Sequence, residues 1–494
     1  MSEAPRMRIL QVSAEIFPLL KTGGLADIAG ALPQALAGVG CTVRALLPGF
    51  PAIREALRKA RLVGQFQMAW GDTVRVFGGH LAGVSGGASP LCAYVLDAPA
   101  LFDRPGNPYE DGQRRPYADN HRRFAALGWA AAHLARGLDA DWAPQLVHCH
   151  DWHAALAPAC LKFSHGAGDR QVPTVYTVHN LAYQGLFDAH LLPDLGLPTT
   201  AFQMDGIEFH GRISFMKAAL HYADHITTVS PTYAQEIQTV EQGFGLDGLL
   251  RRRRDSLSGI LNAVDESVWN PATDPFIAQG FDADDLAGKA LCKAALQQEC
   301  GLAQQPDAPL FAMVSRLTAQ KGLPLVLAGV DDIVARGGQL LVLGSGDAEL
   351  EQALQHQSHR HPGSVAVRLG YDEALAHRIF AGSDVTLVSS LFEPCGLTQM
   401  YGLKYGSLPL VRAVGGLADT VTDADLVTLD DHTATGLVFH PFTAEAFRHA
   451  VRRAVVLYAQ RAAWARVRQT AMRQTLGWTR AAQQYLALYQ SLLA

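Results

Sequence analysis

Two glycine-containing loops lie far apart in the chain, and each combines charged side chains with a backbone able to approach an anion. The first comprises Lys21, Thr22, Gly23, Gly24, Leu25, Ala26 and Asp27, and the second comprises Glu393, Pro394, Cys395, Gly396, Leu397 and Thr398. Each follows an apolar run and precedes a helical pattern, which predicts the carboxyl end of a strand, where open α/β sheets bind ligands. Glycine admits close approach of backbone N–H groups to an anion, and a following helix N-terminus adds positive potential. The two loops together predict a ligand held by two domains.

Two cations, Arg316 and Lys321, follow the apolar run Leu310–Val314. An arginine fork and a lysine point charge just past a strand can grip two phosphate groups. A solvated loop with ordinary basic residues is the alternative. Backbone N–H donors are also predicted at Gly396, Leu397 and Thr398. Because these donors and the two cations could bind the same anion, the diphosphate interpretation is favoured.

The second loop contains two side chains that could take part in chemistry, Glu393 and Cys395, and they predict different roles. The carboxylate of Glu393 could bind sugar hydroxyls or cap the next helix, and sugar binding is favoured because Asp or Ser would serve as a cap. Cys395 has no His or Asp partner nearby in the sequence, which favours a packing or contact role over that of a nucleophile.

The histidine-rich segment His148–His153 is reminiscent of a metal site. Its aspartate, Asp151, comes one residue earlier than in metallo-hydrolases of the H-x-H-x-D-H type, and no further ligands stand out at compatible spacing. The favoured interpretation is a strand end that aims Asp151 and a histidine into the cleft. His179 follows the apolar run Thr174–Val178, and for this side chain a structural and a functional role are equally open.

Composition narrows the class of protein. The 494 residues carry 41 Lys and Arg against 46 Asp and Glu, a net charge of −5, which is too mild to predict binding to nucleic acid or an anionic membrane. The run Arg251–Arg254 is better explained as a solvated linker or helix end. The seven cysteines lack C-x-x-C spacing, which predicts a reduced chain. The stretch Met1–Arg8 is short and polar and no long apolar run occurs, so the sequence predicts a cytoplasmic enzyme with no leader.

Short apolar strand patterns alternate with helical patterns in two series, which predicts two doubly wound α/β domains. The predicted strands are Arg8–Val12, Cys41–Leu47, Gln145–His148, Thr174–Val178 and His225–Val229, followed by Gly259–Leu261, Leu310–Val314, Gln339–Leu343, Val365–Leu369, Val385–Val388 and Leu408–Val411. The boundary is predicted within Leu250–Ser258. The amphipathic stretch Ala462–Leu493 breaks at Gly477, and the part beyond it is predicted to be a tail helix that could return to the first domain.

Nine motifs closely resemble those of the ADP-glucose-dependent glycogen and starch synthase family. They are Lys21–Asp27, Asp103–Tyr109, Val147–His153, Thr177–Gly185, Ala223–Pro231, Ser315–Gly322, Glu393–Gln399, Tyr401–Pro409 and Gly415–Thr420. The resemblance implies the GT-B architecture, with two Rossmann-like domains facing a central cleft: an N-terminal domain over 1–257, a C-terminal domain over 258–473, and a helix over 474–494 that returns to the first domain.

The resemblance also implies the reaction: retaining transfer of glucose from ADP-glucose to the non-reducing end of an α-1,4-glucan, with release of ADP and without a metal or other cofactor. Donor contacts are implied for Lys21, Gly23, Gly24, Arg316, Lys321, Tyr371, Cys395, Gly396, Leu397 and Thr398. Glucose and acceptor contacts are implied for Glu393, His179, Asp151, Tyr109 and Asn262. The motifs carry no information on oligomeric state.

Two positions depart from the family pattern. Leu391 occupies the place of an arginine that usually precedes the Phe-Glu-Pro-Cys-Gly segment, and Ala263 replaces a glycine after Asn262. Other readings stay open beside the ADP-glucose transferase: the same fold with UDP-glucose or another donor, a phosphate-dependent lytic reaction, an inactive glucan- or nucleotide-binding protein, and, more distantly, a metallo-hydrolase centred on His148–His153.

Overall fold

The chain divides into two compact α/β units. The computed structural model describes residues 6–164 and 171–494; residues 1–5, on which the interpretation of the N-terminus partly rests, lie outside the described residues. Unit 1 comprises Met1–Asn262 and Trp478–Ala494, and unit 2 comprises Ala263–Gly477. The sequence had placed these divisions after residues 257 and 473.

Eighteen strands are formed among the described residues. They are β1 Met7–Val12, β2 Cys41–Pro48, β3 Leu57–Gln67, β4 Thr73–Ser85, β5 Pro90–Asp97, β6 Leu146–His150, β7 Thr174–Val178, β8 Leu186–Asp188, β9 Glu208–Phe209, β10 Arg212–Ser214, β11 His225–Thr228, β12 Leu257–Gly259, β13 Leu310–Val314, β14 Gln339–Gly344, β15 Val365–Leu369, β16 Val385–Val388, β17 Leu408–Arg412 and β18 Leu437–Phe439.

The helices lie between the strands. They are α1 Gly24–Gly38, α2 Pro51–Ala56, α3 Pro99–Phe102, α4 Asn120–Ala135, α5 Asp151–Ala154, α6 Ala157–Ser164, α7 Phe215–Tyr222, α8 Pro231–Glu236, α9 Asp247–Arg252, α10 Ala287–Cys300, α11 Leu323–Ala335, α12 Ala348–Arg360, α13 Glu373–Gly382, α14 Thr398–Lys404, α15 Gly415–Thr420, α16 Leu426–Asp430, α17 Ala444–Ala459, α18 Arg461–Met472 and α19 Thr479–Leu493. Over the described residues no helix is both long and apolar enough to cross a membrane.

The main sheet of unit 1 has the order β12-β11-β7-β6-β1-β2-β5-β4-β3 over the described residues. Neighbours from β12 to β5 run parallel, while β5, β4 and β3 are antiparallel. The chain builds one side of β1 first and then crosses to β6, so the strand order reverses between β1 and β6. Ligands of open α/β sheets bind at the carboxyl ends of strands beside such a reversal.

Unit 2 carries a parallel sheet of order β15-β14-β13-β16-β17-β18 in the described part of the chain. Its strands are buried almost throughout, as continuous apolar runs covered by helices on both faces require. The strand order reverses between β13 and β16. This confirms the predicted class of two doubly wound α/β domains.

The last helix, α19, packs in the core of unit 1. Its Tyr485 and Tyr489 are buried in one cluster with Ile9 of β1 and with Leu32 and Leu36 of α1. Full burial of an aromatic side chain stabilises a fold by roughly 2–3 kcal/mol, so two tyrosines hold the end of the chain firmly to unit 1.

Three details of the sequence prediction were wrong. The antiparallel ribbon β3–β5 was not predicted. The strand expected at Gly259–Leu261 as the start of the second series is β12, Leu257–Gly259, which pairs with β11 in unit 1. The segment 250–258 is therefore part of unit 1 and not the boundary, although α9 does end inside the arginine run, where Arg253 donates to the backbone carbonyls of Leu220 and Ala223.

Candidate functional site

In unit 2, Lys321 and Glu393 meet at the strand-order reversal. Lys321 follows β13 and Glu393 follows β16, and Nζ of Lys321 lies 2.6 Å from Oε2 of Glu393. The hydroxyl of Ser390 donates to the same oxygen at 2.8 Å. The other carboxylate oxygen, Oε1, accepts no hydrogen bond from the described residues. A cation and a carboxylate are thus fixed together where a ligand is expected.

Close backbone contacts hold the two loops in register. Gly322 has a left-handed conformation with φ of +78°, and a Cβ there would lie 2.0 Å from the carbonyl oxygen of Ser389. Gln320 makes two bonds across the loops: its carbonyl accepts from the amide of Leu391 at 2.8 Å, and its side chain donates to the carbonyl of Phe392 at 2.6 Å. The position of Lys321 therefore depends on glycine at residue 322.

The alternative role of Glu393 as a helix cap is wrong. Helix α14 begins at Thr398, its N-cap residue is Leu397, and no side-chain cap is formed. Glu393 binds Lys321 and Ser390 instead, which leaves sugar binding as the favoured role of its remaining oxygen.

Glycines also shape the loop between Glu393 and α14. Gly396 has φ of +73°, and a Cβ at Gly415 or Gly416 would lie 2.0 Å from the carbonyl oxygen of Glu393 or 2.2 Å from that of Cys395. Gln399 donates to the carbonyls of Cys395 and Gly396 at 3.0 and 2.8 Å. Cys395 is buried, in keeping with the packing role favoured from the sequence.

Arg316 and Tyr371 follow two strands of the same sheet, β13 and β15, which are separated by β14. Arg316 follows β13 and is exposed, and Tyr371 follows β15 after Gly370, with 70% of its side chain exposed. The structure thus brings Lys321 and Glu393 into direct contact and presents Arg316 and Tyr371 to solvent at the same edge.

In unit 1, a buried carboxylate that the sequence did not single out organises the first glycine loop. Glu15 is 2% exposed and accepts from the amide and the hydroxyl of Thr22, each at 2.5 Å, and from the hydroxyl of Tyr109. Lys21 pairs with Asp27 at 3.0 Å. A Cβ at Gly23 would meet no atom within 4 Å, so the space above this loop is open.

Tyr109 lies over the histidine-rich segment. Its ring stacks on His153 with centroids 4.4 Å apart and an interplanar angle of 19°. Burial, together with the nearby charge of Glu15, raises the pKa of the Tyr109 phenol well above its ordinary value. Tyr109 therefore stays a neutral hydrogen-bonding group.

Asp151 begins α5 directly after β6 and has an unusual backbone. Its φ is +58°, a conformation that non-glycine residues rarely adopt and that is enriched at functional sites. Burial, with a further contribution from the charge of Glu15, raises the pKa of its carboxyl group to about 8. Asp151 is thus able to hold a proton near neutral pH.

The buried histidines of β6 pack together with His179, which follows β7. Nδ1 of His150 lies 3.0 Å from Nε2 of His179, and the rings of His148 and His150 are 4.1 Å apart. Burial lowers the pKa of His148 and of His179 to about 3, so these imidazoles are neutral. Among residues 6–164 and 171–494, no three His, Cys, Asp or Glu side chains are grouped so that they could hold a metal ion.

Asn262 is the last of the predicted site residues in unit 1. It is buried, three residues past β12, and its amide donates to the carbonyl of Val229 at 3.3 Å. The site residues of unit 1 therefore come after the carboxyl ends of four strands of one sheet. Glu15 and Lys21 follow β1, Asp151 follows β6, His179 follows β7 and Asn262 follows β12.

Comparison with known proteins decides the family. Residues 8–252 match the model of the starch synthase catalytic domain, and residues 301–468 match that of the group 1 glycosyl transferases. The chain is 60% identical to a glycogen synthase of Variovorax paradoxus over 99% of both chains, and 56% identical to one of Leptothrix cholodnii over 99% of this chain and 100% of the other. The chain belongs to the glycogen synthase family.

Solved structures agree with membership of the glycogen synthase family and its GT-B fold. The catalytic domain of starch synthase IV from Arabidopsis thaliana, bound to ADP and acarbose, has a TM-score of 0.88 and 31% identity over 99% of both chains. Sucrose-phosphate synthase from Thermosynechococcus elongatus shares the fold, with a TM-score of 0.60 and 18% identity over 99% of both chains. As a member of the glycogen synthase family, the chain is a hexosyltransferase.

Proposed function

We propose that this chain transfers glucose from ADP-glucose to the non-reducing end of an α-1,4-glucan, with retention of the anomeric configuration and release of ADP. The observation that carries the proposal is the fixed pair of Lys321 and Glu393 at the strand-order reversal of unit 2. In such a pair, the cation of Lys321 can stabilise the departing phosphate, and the carboxylate of Glu393 can bind the glucose from which that phosphate departs.

The chemistry explains why a cation is needed there. As the bond from the anomeric carbon to phosphate breaks, positive charge develops on the sugar ring and negative charge on the ADP diphosphate. Lys321 and Arg316 neutralise the diphosphate, and a stabiliser that is already in position lowers the barrier most. The backbone of Gly396, Leu397 and Thr398 adds donors to the same group.

Glu393 contributes through both of its carboxylate oxygens. Oε2 fixes the ammonium group of Lys321, and Oε1, which has no partner among the described residues, accepts hydrogen bonds from hydroxyls of the donor glucose. Tyr371 stacks near the adenine ring, and its large exposed surface supports that role.

Unit 1 supplies groups for the transferred glucose and the acceptor. Lys21, Gly23 and Gly24 contact the donor, and His179, Asp151, Tyr109 and Asn262 bind sugar hydroxyls. Retention follows if the acceptor attacks from the face that ADP leaves. In that step the bond to the phosphate oxygen breaks, the bond from the acceptor O4 to the anomeric carbon forms, and the acceptor proton passes to the phosphate.

We further propose that the reaction needs no metal and takes place in the cytoplasm. Two side-chain cations and backbone amides take the place of a divalent ion at the diphosphate. All seven cysteines lie in the described residues and none is paired in a disulfide, which suits a reducing compartment.

A donor comparison tests the proposal. Labelled glucose from ADP-glucose and from UDP-glucose is offered with glycogen, each with EDTA in excess. Incorporation from ADP-glucose at a rate that EDTA does not change is the expected result. Incorporation only from UDP-glucose would favour the alternative donor, and loss of activity in EDTA would contradict the metal-independent reaction.

A further inference from the structure

His150 lies directly behind the candidate sugar-binding histidine. The two side chains come from adjacent strands, with Nδ1 of His150 3.0 Å from Nε2 of His179. His150 is fully buried, whereas His179 is partly exposed at the strand end. One imidazole is thus available to a ligand, and the other can act only through it.

One proton must lie between these two nitrogens. Burial lowers the pKa of His179 to about 3 and that of His150 well below its ordinary value, so both rings are neutral. A neutral imidazole carries one N–H donor and one bare acceptor nitrogen. Either His150 donates from Nδ1 and the proton of His179 is on Nδ1, or His179 donates from Nε2 and the proton of His150 is on Nε2.

The second nitrogen of His150 distinguishes the two arrangements. Nε2 of His150 is buried and has no hydrogen-bonding partner among the described residues. If it carried the proton, an N–H group would be buried without an acceptor, and such orphaned donors are rarer in proteins than under-satisfied acceptors. The arrangement in which Nε2 of His150 is bare is therefore favoured.

We propose that His150 is a positioning residue that donates its Nδ1–H to Nε2 of His179 and thereby holds the proton of His179 on Nδ1. With its proton on Nδ1, the partly exposed His179 offers an N–H donor to a ligand oxygen. The inference rests on the proposed function only in assigning that oxygen to the sugar substrate.

The last helix supports this arrangement from behind. The ring of His148 packs 4.1 Å from that of His150, and His148 is fixed at both nitrogens, by the hydroxyl of Tyr489 at 2.7 Å and by that of Thr177 at 2.6 Å. Thr177 in turn bonds to Thr227 at 2.6 Å. Tyr489 of α19 thus holds the layer against which His150 rests.

Neutron diffraction from deuterated crystals of the full chain tests the proton position without reference to activity. The expected result is deuterium on Nδ1 of His150 and on Nδ1 of His179. A free histidine side chain in water favours the Nε2–H form, so this result would report the influence of the protein. Deuterium on Nε2 of His179 would overturn the proposal, whatever reaction the enzyme catalyses.

Variants test whether the proton position matters for turnover. His150→Phe keeps the ring packing but removes the donor, and we expect kcat to fall roughly tenfold to a hundredfold, as for other residues that orient a functional histidine. His150→Asn restores an N–H donor near the position of Nδ1 and is expected to recover most of that loss. Equal activity of wild type and the Phe variant, or no difference between the Phe and Asn variants, would contradict the positioning role.

The tyrosines of α19 provide a matched pair. Tyr489→Phe removes the hydroxyl that binds His148. We expect kcat to fall to about a quarter to a tenth of the wild-type value, as is typical when an orienting hydrogen bond is lost. Tyr485→Phe removes the hydroxyl of a second ring that packs on His148, with centroids 5.3 Å apart. Because both nitrogens of His148 are already bonded to Tyr489 and Thr177, this substitution is expected to leave kcat unchanged. Equal effects of the two substitutions would show that only packing of the helix matters.

Discussion

The ammonium group of Lys321 lies 2.6 Å from the carboxylate of Glu393, although the two residues are 72 positions apart in the chain. They come from loops after β13 and β16, the two strands between which the order of the unit 2 sheet reverses. The pair therefore occupies the position at which open α/β sheets hold ligands. It also gives each residue a defined orientation before any ligand arrives.

Removal of the lysine tests its role at the diphosphate. Lys321→Ala, or Arg316→Ala, is expected to lower kcat by roughly 10²–10³-fold, because a preorganised charge that stabilises the transition state is lost. Steady-state kinetics with ADP-glucose measures this. Lys404→Ala is the control, since Lys404 also lies 2.6 Å from a carboxylate of unit 2, that of Glu266, outside the candidate site. Near-normal turnover in both site variants would remove the diphosphate assignment.

Glu393 is expected to matter for activity and not for folding. Glu393→Gln and Glu393→Ala should lose at least about a hundredfold in kcat, while Tm stays within a few degrees of wild type. The reason is that Glu393 caps no helix and that Lys321, with a fifth of its side chain exposed, remains solvated when its partner is lost. Calorimetry and kinetics on the same samples separate the two effects. An unfolded Gln variant would instead indicate a structural carboxylate.

Glu15 is expected to control the first glycine loop. Glu15→Gln replaces an acceptor-only carboxylate by an amide, whose N–H2 group opposes either the donors of Thr22 or the hydroxyl of Tyr109. We expect kcat/KM to fall about tenfold or more, as when other orienting partners are removed. Glu208→Gln is the control, because Glu208 also accepts a backbone N–H, that of Gly211, in a turn. An equal effect of the two variants would contradict a specific role for Glu15.

Acid sensitivity is expected from the buried histidines. Burial lowers the pKa of His153 well below its ordinary value, so below pH 6.5 the unfolded chain binds a proton that the folded chain does not. The free energy of unfolding therefore falls as the pH falls, by about 1.4 kcal/mol per pH unit from this group until its folded pKa is reached. His153→Phe keeps the stacking on Tyr109 and removes this contribution.

Urea unfolding at pH 5 and pH 8 measures the effect. The variant should lose less stability than wild type between pH 8 and pH 5, and at pH 8, where the imidazole is neutral in both states, the two proteins should differ little. A variant that loses as much stability in acid as wild type would show that His153 is charged in the folded chain.

The parallel strands and the loops after them could be predicted because continuous apolar runs alternate with helical patterns. The ribbon β3–β5 could not, since β3 is mostly exposed and its residues do not read as a buried strand. β12 has three residues, too few for a pattern that assigns it to one sheet. Glu15 was missed because its partner Tyr109 is 94 residues away, and Tyr489 because His148 is 341 residues away. Such contacts depend on the tertiary fold.

One measurement tests donor, linkage and stereochemistry together: a proton NMR time course of the purified protein with ADP-glucose and a maltooligosaccharide, in EDTA. The proposed function predicts that the anomeric signal of ADP-glucose declines while an α-1,4 anomeric signal grows by the same amount. Growth of free glucose in its place would show hydrolysis, and a β-anomeric product would show inversion. Either result would contradict retaining transfer to a glucan.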